Sequence, residues 1–424
     1  MPKGKGKRSD RQGKSKTRAS PRRTEESLAV EDDEAMSTTS QNSLETRSGD
    51  DVNNEGNDDS LEEIEVTFEH NLEDYLDGAT QKSAKGRQAS LIALQKALKS
   101  KVLTEFVANR MMTFQELVEK CLKRGQAEDR VLASSIASLV CIQLGVESEG
   151  FFKVVKPILT MIIQDPTASI GARASCCSAL GLCCFIAAEN IEDSQQCAKV
   201  FEGVFNNNKT ISPVVAPLYC HAVLSWALLL SIAPEAEAYN TVRKFLQRIS
   251  CILGANDISV RIAAGEALAL MYEKARAVDR SFVGEKARFC EQLKDLATDS
   301  DKHKAKKDLR NQRSSFRDVM RAIEDGSVPD ETIKFGVEYL ELYSWTVRRQ
   351  YSAFKECLGL GMPVQLQGNE LLREIFELGP IVNLEEMELQ KVSKFQRNQY
   401  NSAASKARTL VRGKNRDKRN VSAY

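Results

Sequence analysis

Catalysis, metal binding and phosphate transfer each need particular side chains at particular spacings. The chain has only three histidines, His70, His221 and His303, far apart in sequence. None belongs to a His-Glu-x-x-His pattern or stands near a ligand-spaced cysteine pair, so zinc-type chemistry has no sequence support. There is no Gly-x-x-x-x-Gly-Lys-Ser/Thr loop, no strand-bound Gly-x-Gly-x-x-Gly and no Gly-x-Ser-x-Gly elbow; Gly359, Gly361 and Gly368 fall between helical segments. Carboxylates are too numerous for any pair to stand out as an acid and a base. The expectation is a non-enzymatic protein with no cofactor, no metal and no small-molecule substrate.

Cys176, Cys177, Cys183 and Cys184 are the densest cysteine group. Heptad spacing stacks Cys176 over Cys183 and Cys177 over Cys184 on one helix, which makes two faces and no tetrahedral cage. Small buried hydrophobes in a close-packed helix are the simpler reading. The chain opens on Met1 to Arg23, basic and without an apolar core of the secretory kind, which predicts a cytosolic or nuclear location and eleven reduced thiols.

Basic residues are more informative. Lys302 to Arg321 carries eight Lys/Arg and two Asp. Lys306, Arg310, Arg313, Arg317 and Arg321 recur every three or four residues, so a helix aligns them on one face, with Lys302, Lys304 and Lys307 adding charge. Leu309, Phe316, Val319 and Met320 would hold another side against the protein. A charge run is often only a solvated face, but cations without a matching acidic stripe favour a polyanion, most simply RNA or DNA phosphates.

Lys391 to Arg419 carries ten Lys/Arg and one Asp. A helix over 385–412 would be roughly 40 Å long at 1.5 Å per residue. Lys394, Arg397, Lys406, Arg408 and Arg412, followed by Lys414, Arg416, Lys418 and Arg419, stud a rod made largely of small residues. Such a rod buries too little apolar area to be held by a core, at roughly 25 cal/mol per Å², and suits a narrow channel lined by phosphates. The alternative is a frayed tail that serves as a nuclear-import signal.

The elements that position these groups come from an internal repeat. Arg-x-small-small-x-x-Ala-Leu occurs at Arg87–Leu94, Arg173–Leu180 and Arg261–Leu268, with weaker copies at Leu132–Leu139 and His221–Leu228. The starts are spaced by roughly 43 residues, the length of a HEAT or armadillo unit. Small residues at alternate turns let the second helix of one unit approach the next. The repeat arginines read as structural, capping carbonyls or pairing with a preceding aspartate, and Asp165 and Asp257 read as helix starts.

The 424 residues carry 60 Lys/Arg and 59 Asp/Glu, a net charge of +1 that taken alone argues against a polyanion partner. Met1 to Arg23 has ten cations and one Asp, however, and Glu25 to Glu65 has fifteen acids and one Arg. Neutrality is cancellation between segments, and the opening tail is expected to be disordered. The longest strongly apolar stretch, Ala222 to Ala233, is too short for a membrane span of roughly 20 residues.

Several segments together resemble the interferon-related developmental regulators. They are Arg313-Ser-Ser-Phe-Arg-Asp-Val319, Phe335-Gly-Val-Glu338, Ser344-Trp345, Phe354-Lys-Glu356 and Gly359-Leu-Gly-Met362. Farther on come Asn369-Glu-Leu-Leu-Arg373, Phe376-Glu-Leu-Gly-Pro380, Tyr400-Asn-Ser-Ala-Ala404, Lys406-Ala-Arg-Thr409 and Arg416-Asp-Lys-Arg419. Cys141-Ile-Gln-Leu-Gly145, Arg261-Ile-Ala-Ala-Gly-Glu266 and Leu296-Ala-Thr-Asp299 extend the match, which runs over about 82–420; the tail and 206–215 add nothing to it. The resemblance implies an armadillo-like helical domain and a smaller C-terminal domain. It also implies either of two roles. One is a silencing factor that occupies an idle ribosome and places its C-terminal helix, here 400–419, in the messenger-RNA channel. The other is a nuclear transcriptional co-regulator that binds co-repressor proteins.

The combined expectation is an all-α chain: a tail over 1–66, a HEAT/armadillo-like helical solenoid over 67–325, a small helical C-terminal domain over 326–384 and a long basic C-terminal helix and tail over 385–424. The expected partners are the ribosome, through ribosomal RNA and ribosomal proteins, and no membrane. A nuclear scaffold is the rival.

Overall fold

The structure is a computed structural model that describes residues 58–206, 211–298 and 306–381. The expected tail up to residue 57 and the basic helix over 385–412 lie outside the described residues.

The repeat unit is a helix pair. Counting along the chain, the pairs are α1 (Asp58–Gly78) with α2 (Ala84–Ser100), α4 (Met111–Arg124) with α5 (Ala127–Leu144), and α6 (Glu149–Gln164) with α7 (Ile170–Ala187). They continue as α8 (Ile191–Phe205) with α9 (Ala216–Ile232), α10 (Glu235–Leu253) with α11 (Ile258–Val278), and α12 (Lys286–Thr298) with α13 (Lys306–Asp325). A short α3 (Thr104–Asn109) precedes α4 and gives that unit three helices. Helix α1 begins inside the segment expected to be tail, where Leu72 and Leu76 of its second half reach the core.

All five repeat copies fall on second helices, α2, α5, α7, α9 and α11, which pack on one another in chain order and end on α13. The reason is size. A Cβ on Gly181 would lie 2.7 Å from Ser225 Cβ, so α7 and α9 meet at glycine-to-serine distance. Hydrogen bonds between units repeat the sequence period: Gln143 donates to the Leu98 carbonyl, Ser178 meets His221, Lys274 donates to the Ser231 carbonyl, and Arg276 to the Ala322 carbonyl. Phe205, Trp226 and Phe245 pack edge-on at 5.6–6.0 Å to fill the α8–α10 junction.

Helix starts follow local chemistry. The side chains of Ser83, Ser169 and Asp257 accept the N–H groups of Gly86, Ala172 and Val260 and so cap α2, α7 and α11. Asp257 is therefore the expected start residue. Asp165 is not: its side chain closes a turn onto Thr167, and Ser169 takes the cap. Of the three repeat arginines, Arg87 binds the Gln81 and Lys82 carbonyls and Arg173 the Ile163 carbonyl, whereas Arg261 binds the Gln312 side chain. Arg87 also pairs with Asp129 of the following unit rather than with a preceding aspartate.

The four cysteines of α7 are fully buried free thiols, and burial pushes Cys176 up to about 12. Among the described residues two segments, Ala127–Gln164 and helix α7, are long and apolar enough by composition to cross a membrane, yet most of each is buried inside the protein.

After α13 the expected small helical domain starts with a β-hairpin. Strands β1 (Thr332–Phe335) and β2 (Glu338–Glu341) pair antiparallel, Ile333 opposite Leu340 and Phe335 opposite Glu338. Phe335 and Leu340 turn inward while Thr332, Lys334, Tyr339 and Glu341 face out, and Gly336, at φ +56°, makes the turn. Three helices follow: α14 (Trp345–Leu358), α15 (Met362–Gly368) and α16 (Glu370–Ile375). They run back along the row of second helices, α14 against α11, α9, α7 and α5, α15 against α2, and α16 against α5.

Candidate nucleic-acid interface

The helical face expected for the basic block exists on α13. Phe316, Val319 and Ile323 are buried to 1 % exposure or less, and Met320 packs partly against the core. Full burial of each large apolar side chain stabilises by about 1.5–3 kcal/mol. Phe316 lies over Gly265 of α11, where a Cβ would come within 3.0 Å of its ring. The opposite side exposes Arg310, Arg317 and Arg321. Among the described residues none of these three makes an ion pair. Arg313 is half-buried on the flank.

The remaining members of the predicted site are less well placed. Lys306 and Lys307 fall in the first turn of α13, and Lys302 and Lys304 lie outside the described residues. So do Lys394, Arg397, Lys406, Arg408, Arg412, Lys414, Arg416, Lys418 and Arg419.

What holds α13 in place escaped the sequence reading. Gln312, fully buried, accepts from Arg261 Nη2 at 2.7 Å and donates to the Leu296 carbonyl at 2.8 Å. Arg276 spans the Ala322 and Ile323 carbonyls at the other end, and Lys286 donates to the Glu324 carbonyl. A cation on terminal carbonyls satisfies acceptors that the helix itself leaves open. The helix also carries Asp308, Asp318, Glu324 and Asp325; burial raises the pKa of Asp318, although Arg321, Arg348 and Arg317 pull it down.

The returning segment is anchored by polar side chains. Glu273 of α11 accepts the N–H groups of Trp345 and Thr346 at 2.6 and 3.0 Å and the Thr346 hydroxyl at 2.7 Å, so it serves as an N-terminal cap supplied from another helix. Gln365 donates to the Leu98 and Lys101 carbonyls at the end of α2, and Asn369 to the Ile142 carbonyl. Arg349 of α14 binds Glu356 at 2.9 Å and faces Glu266 of α11 at 3.9 Å.

Arg373 closes the arrangement. Its guanidinium donates to both carboxylate oxygens of Glu338 on β2 and to the Leu378, Gly379 and Pro380 carbonyls. Those carbonyls belong to the last described turn before the basic C-terminal segment. That turn is thus held by one side chain. Cys141–Gly145, Phe335–Glu338, Asn369–Arg373 and Phe376–Pro380, separate motifs in sequence, meet in this corner.

The chain is similar in sequence to known proteins. The family model described as interferon-related developmental regulator matches residues 35–324, and that of the interferon-related protein conserved region matches 369–420. Interferon-related developmental regulator 1 of Mus musculus is 44% identical over 365 residues, covering 83% of this chain and 81% of its own. The human regulator 1 is 43% identical over the same length, with 83% and 81% covered. Regulator 2 of Mus musculus is 42% identical, covering 83% of each. Among solved structures, a designed armadillo repeat protein aligns over 60% of this chain and all of its own at 10% identity and a TM-score of 0.35. By the extent of the family match and the identity to its relatives, the chain belongs to the interferon-related developmental regulator family.

Proposed function

We propose that the protein is a non-enzymatic ribosome-binding factor that represses translation by holding inactive ribosomes. The reading is carried by the outward row of Arg310, Arg317 and Arg321 on a helix whose other face is locked to the repeat array. A row of exposed cations that make no ion pair among the described residues, on a helix packed to the repeat array, suits ribosomal-RNA phosphates. The basic segment over 385–424 would enter the messenger-RNA channel. A cytoplasmic location follows from that role.

The competing reading is a nuclear scaffold for transcriptional co-repressors, in which the same cations serve import. The two differ in their response to salt. Phosphate neutralisation releases counterions, so affinity for purified ribosomes should fall by roughly 10³-fold or more between 50 and 200 mM salt if six or more phosphates are contacted. Ribosome binding that ignores salt over that range would count against the proposal.

A further inference from the structure

A cleft of about 610 Å³ opens where α1, α3, α16 and the short turn Gly145–Ser148 after α5 come together. Leu103, Leu144, Val146 and Leu371 give it apolar walls, and Val146 stands 74% exposed there. Glu69, Glu105, Glu147, Glu370 and Glu374 line it as well, all exposed, and no Lys, Arg or His does.

Among the described residues none of these five glutamates makes an ion pair. Lys101, next to Val102 of the lining, is turned onto the Phe68 ring at 3.8 Å. Helix chemistry accounts for two of the five. Glu105 and Glu370 lie in the first turns of α3 and α16, where the helix dipole favours an anion. Glu374, in the last turn of α16, stands where the dipole disfavours one, and Glu69 lies in the body of α1. Like charges gathered around exposed apolar walls repel one another. A cationic chain with some aliphatic and aromatic side chains relieves the repulsion and covers the walls together.

The chain itself contains such an occupant. Residues 391–419 carry ten Lys/Arg and one Asp, with Val392, Phe395, Leu410 and Val411 among them. The tether starts beside the cleft: α16, which supplies Glu370 and Glu374, leads through the turn held by Arg373 to Ile381, the last described residue. Nine residues, 382–390, separate Ile381 from Lys391 and can span up to roughly 30 Å. A tether of that length supplies an effective concentration on the order of millimolar, at which individually weak ion pairs suffice. We propose that this cleft is the docking site of the chain's own basic segment, 391–419, occupied while the protein is free. Docking there and contact with RNA phosphates use the same cations and exclude each other, so the cleft is autoinhibitory. That consequence alone rests on the ribosome reading; the docking does not.

Carbodiimide cross-linking of the free full chain, read by mass spectrometry, tests the docking with no ribosome present, so either reading can fail while the other stands. Lys391, Lys394, Lys406, Lys414 and Lys418 should link to the five glutamates within one chain. Salt at about 0.5 M, which shortens the screening length to about 4 Å, should remove most of these links. The triple variant Glu105→Gln, Glu147→Gln and Glu370→Gln leaves Glu69 and Glu374 as reporters. Links to these two should fall at least about threefold. All three substituted positions are exposed, so the melting temperature should stay within a few degrees; if it does not, the salt response of the parent reads the same contact. Mixing isotopically light and heavy copies separates links within one chain from links between two. The proposal is overturned by lysine links that fall on the acids of 25–65 in place of the cleft, by cleft links found only between copies, by no cleft links at all, or by links to Glu69 and Glu374 indifferent to both salt and the substitutions.

Discussion

Arg373 and Glu338 form a two-pronged ion pair, Nη1 to Oε2 at 3.0 Å and Nη2 to Oε1 at 2.8 Å, that joins α16 to the β-hairpin. The arginine is 3% exposed and the glutamate 20%. Removing one partner of such a pair leaves the other charge buried and uncompensated. Arg373→Ala should therefore destabilise by about 3–5 kcal/mol, measured by urea unfolding. Arg373→Lys should recover little, because an ammonium cannot bridge both carboxylate oxygens and three carbonyls. A loss below about 1 kcal/mol in the alanine variant would show that the corner does not depend on this side chain.

Arg87 and Asp129 couple the first two repeat units at 2.5 Å, and Asp129 also caps its own helix by accepting the Gln126 N–H. Burial pushes the Asp129 carboxyl up, but the bonds from Arg87, Gln126 and Gln88 outweigh it and leave the pKa below its ordinary value. A depressed folded pKa contributes stability that is present above the unfolded pKa near 3.9 and is lost as pH falls through the folded one. Asp129→Asn should lower stability at pH 7 and flatten its decline below about pH 4. Parallel stability–pH curves for parent and variant would contradict this assignment.

Gly181 has no space for a side chain because Ser225 of α9 stands against it. Gly181→Val should cost about 1–3 kcal/mol by forcing α7 and α9 apart, even though valine favours helix over glycine. Gly171→Leu on the same helix is the control, since its Cβ is unopposed. Thermal melts that rank the two in the opposite order would mean that the close approach of second helices is not limiting.

Charge reversal on α13 separates phosphate contact from a merely solvated face. Arg310→Glu, Arg317→Glu and Arg321→Glu alter exposed residues and should leave the melting temperature within a few degrees. Each should reduce the slope of log affinity for ribosomal RNA against log salt by about 1. Unchanged slopes in all three would assign the row to solvent.

Much of the repeat domain was legible because its packing rule is local. A second helix must carry small residues where the next one crosses, so Arg-x-small-small-x-x-Ala-Leu marked α2, α7 and α11 directly. The basic face of α13 was legible for the same reason: Arg310, Arg317 and Arg321 obey the helical period against Phe316 and Val319. The hairpin was missed, although its alternation is visible once Gly336 is read as a turn between Phe335 and Glu338. The return of the chain onto its own beginning was not legible. Gln365 on the α2 carbonyls and Glu273 on Trp345 are long-range contacts that no periodicity encodes.

The central claim is that the chain binds ribosomes and needs its basic C-terminal segment to do so. Sucrose-gradient sedimentation of lysate, comparing the intact chain with one ending at Lys391, tests it most directly. The account predicts that the intact chain travels with monosomes and that the shortened one moves toward the top. If both stay at the top, the ribosome reading is contradicted.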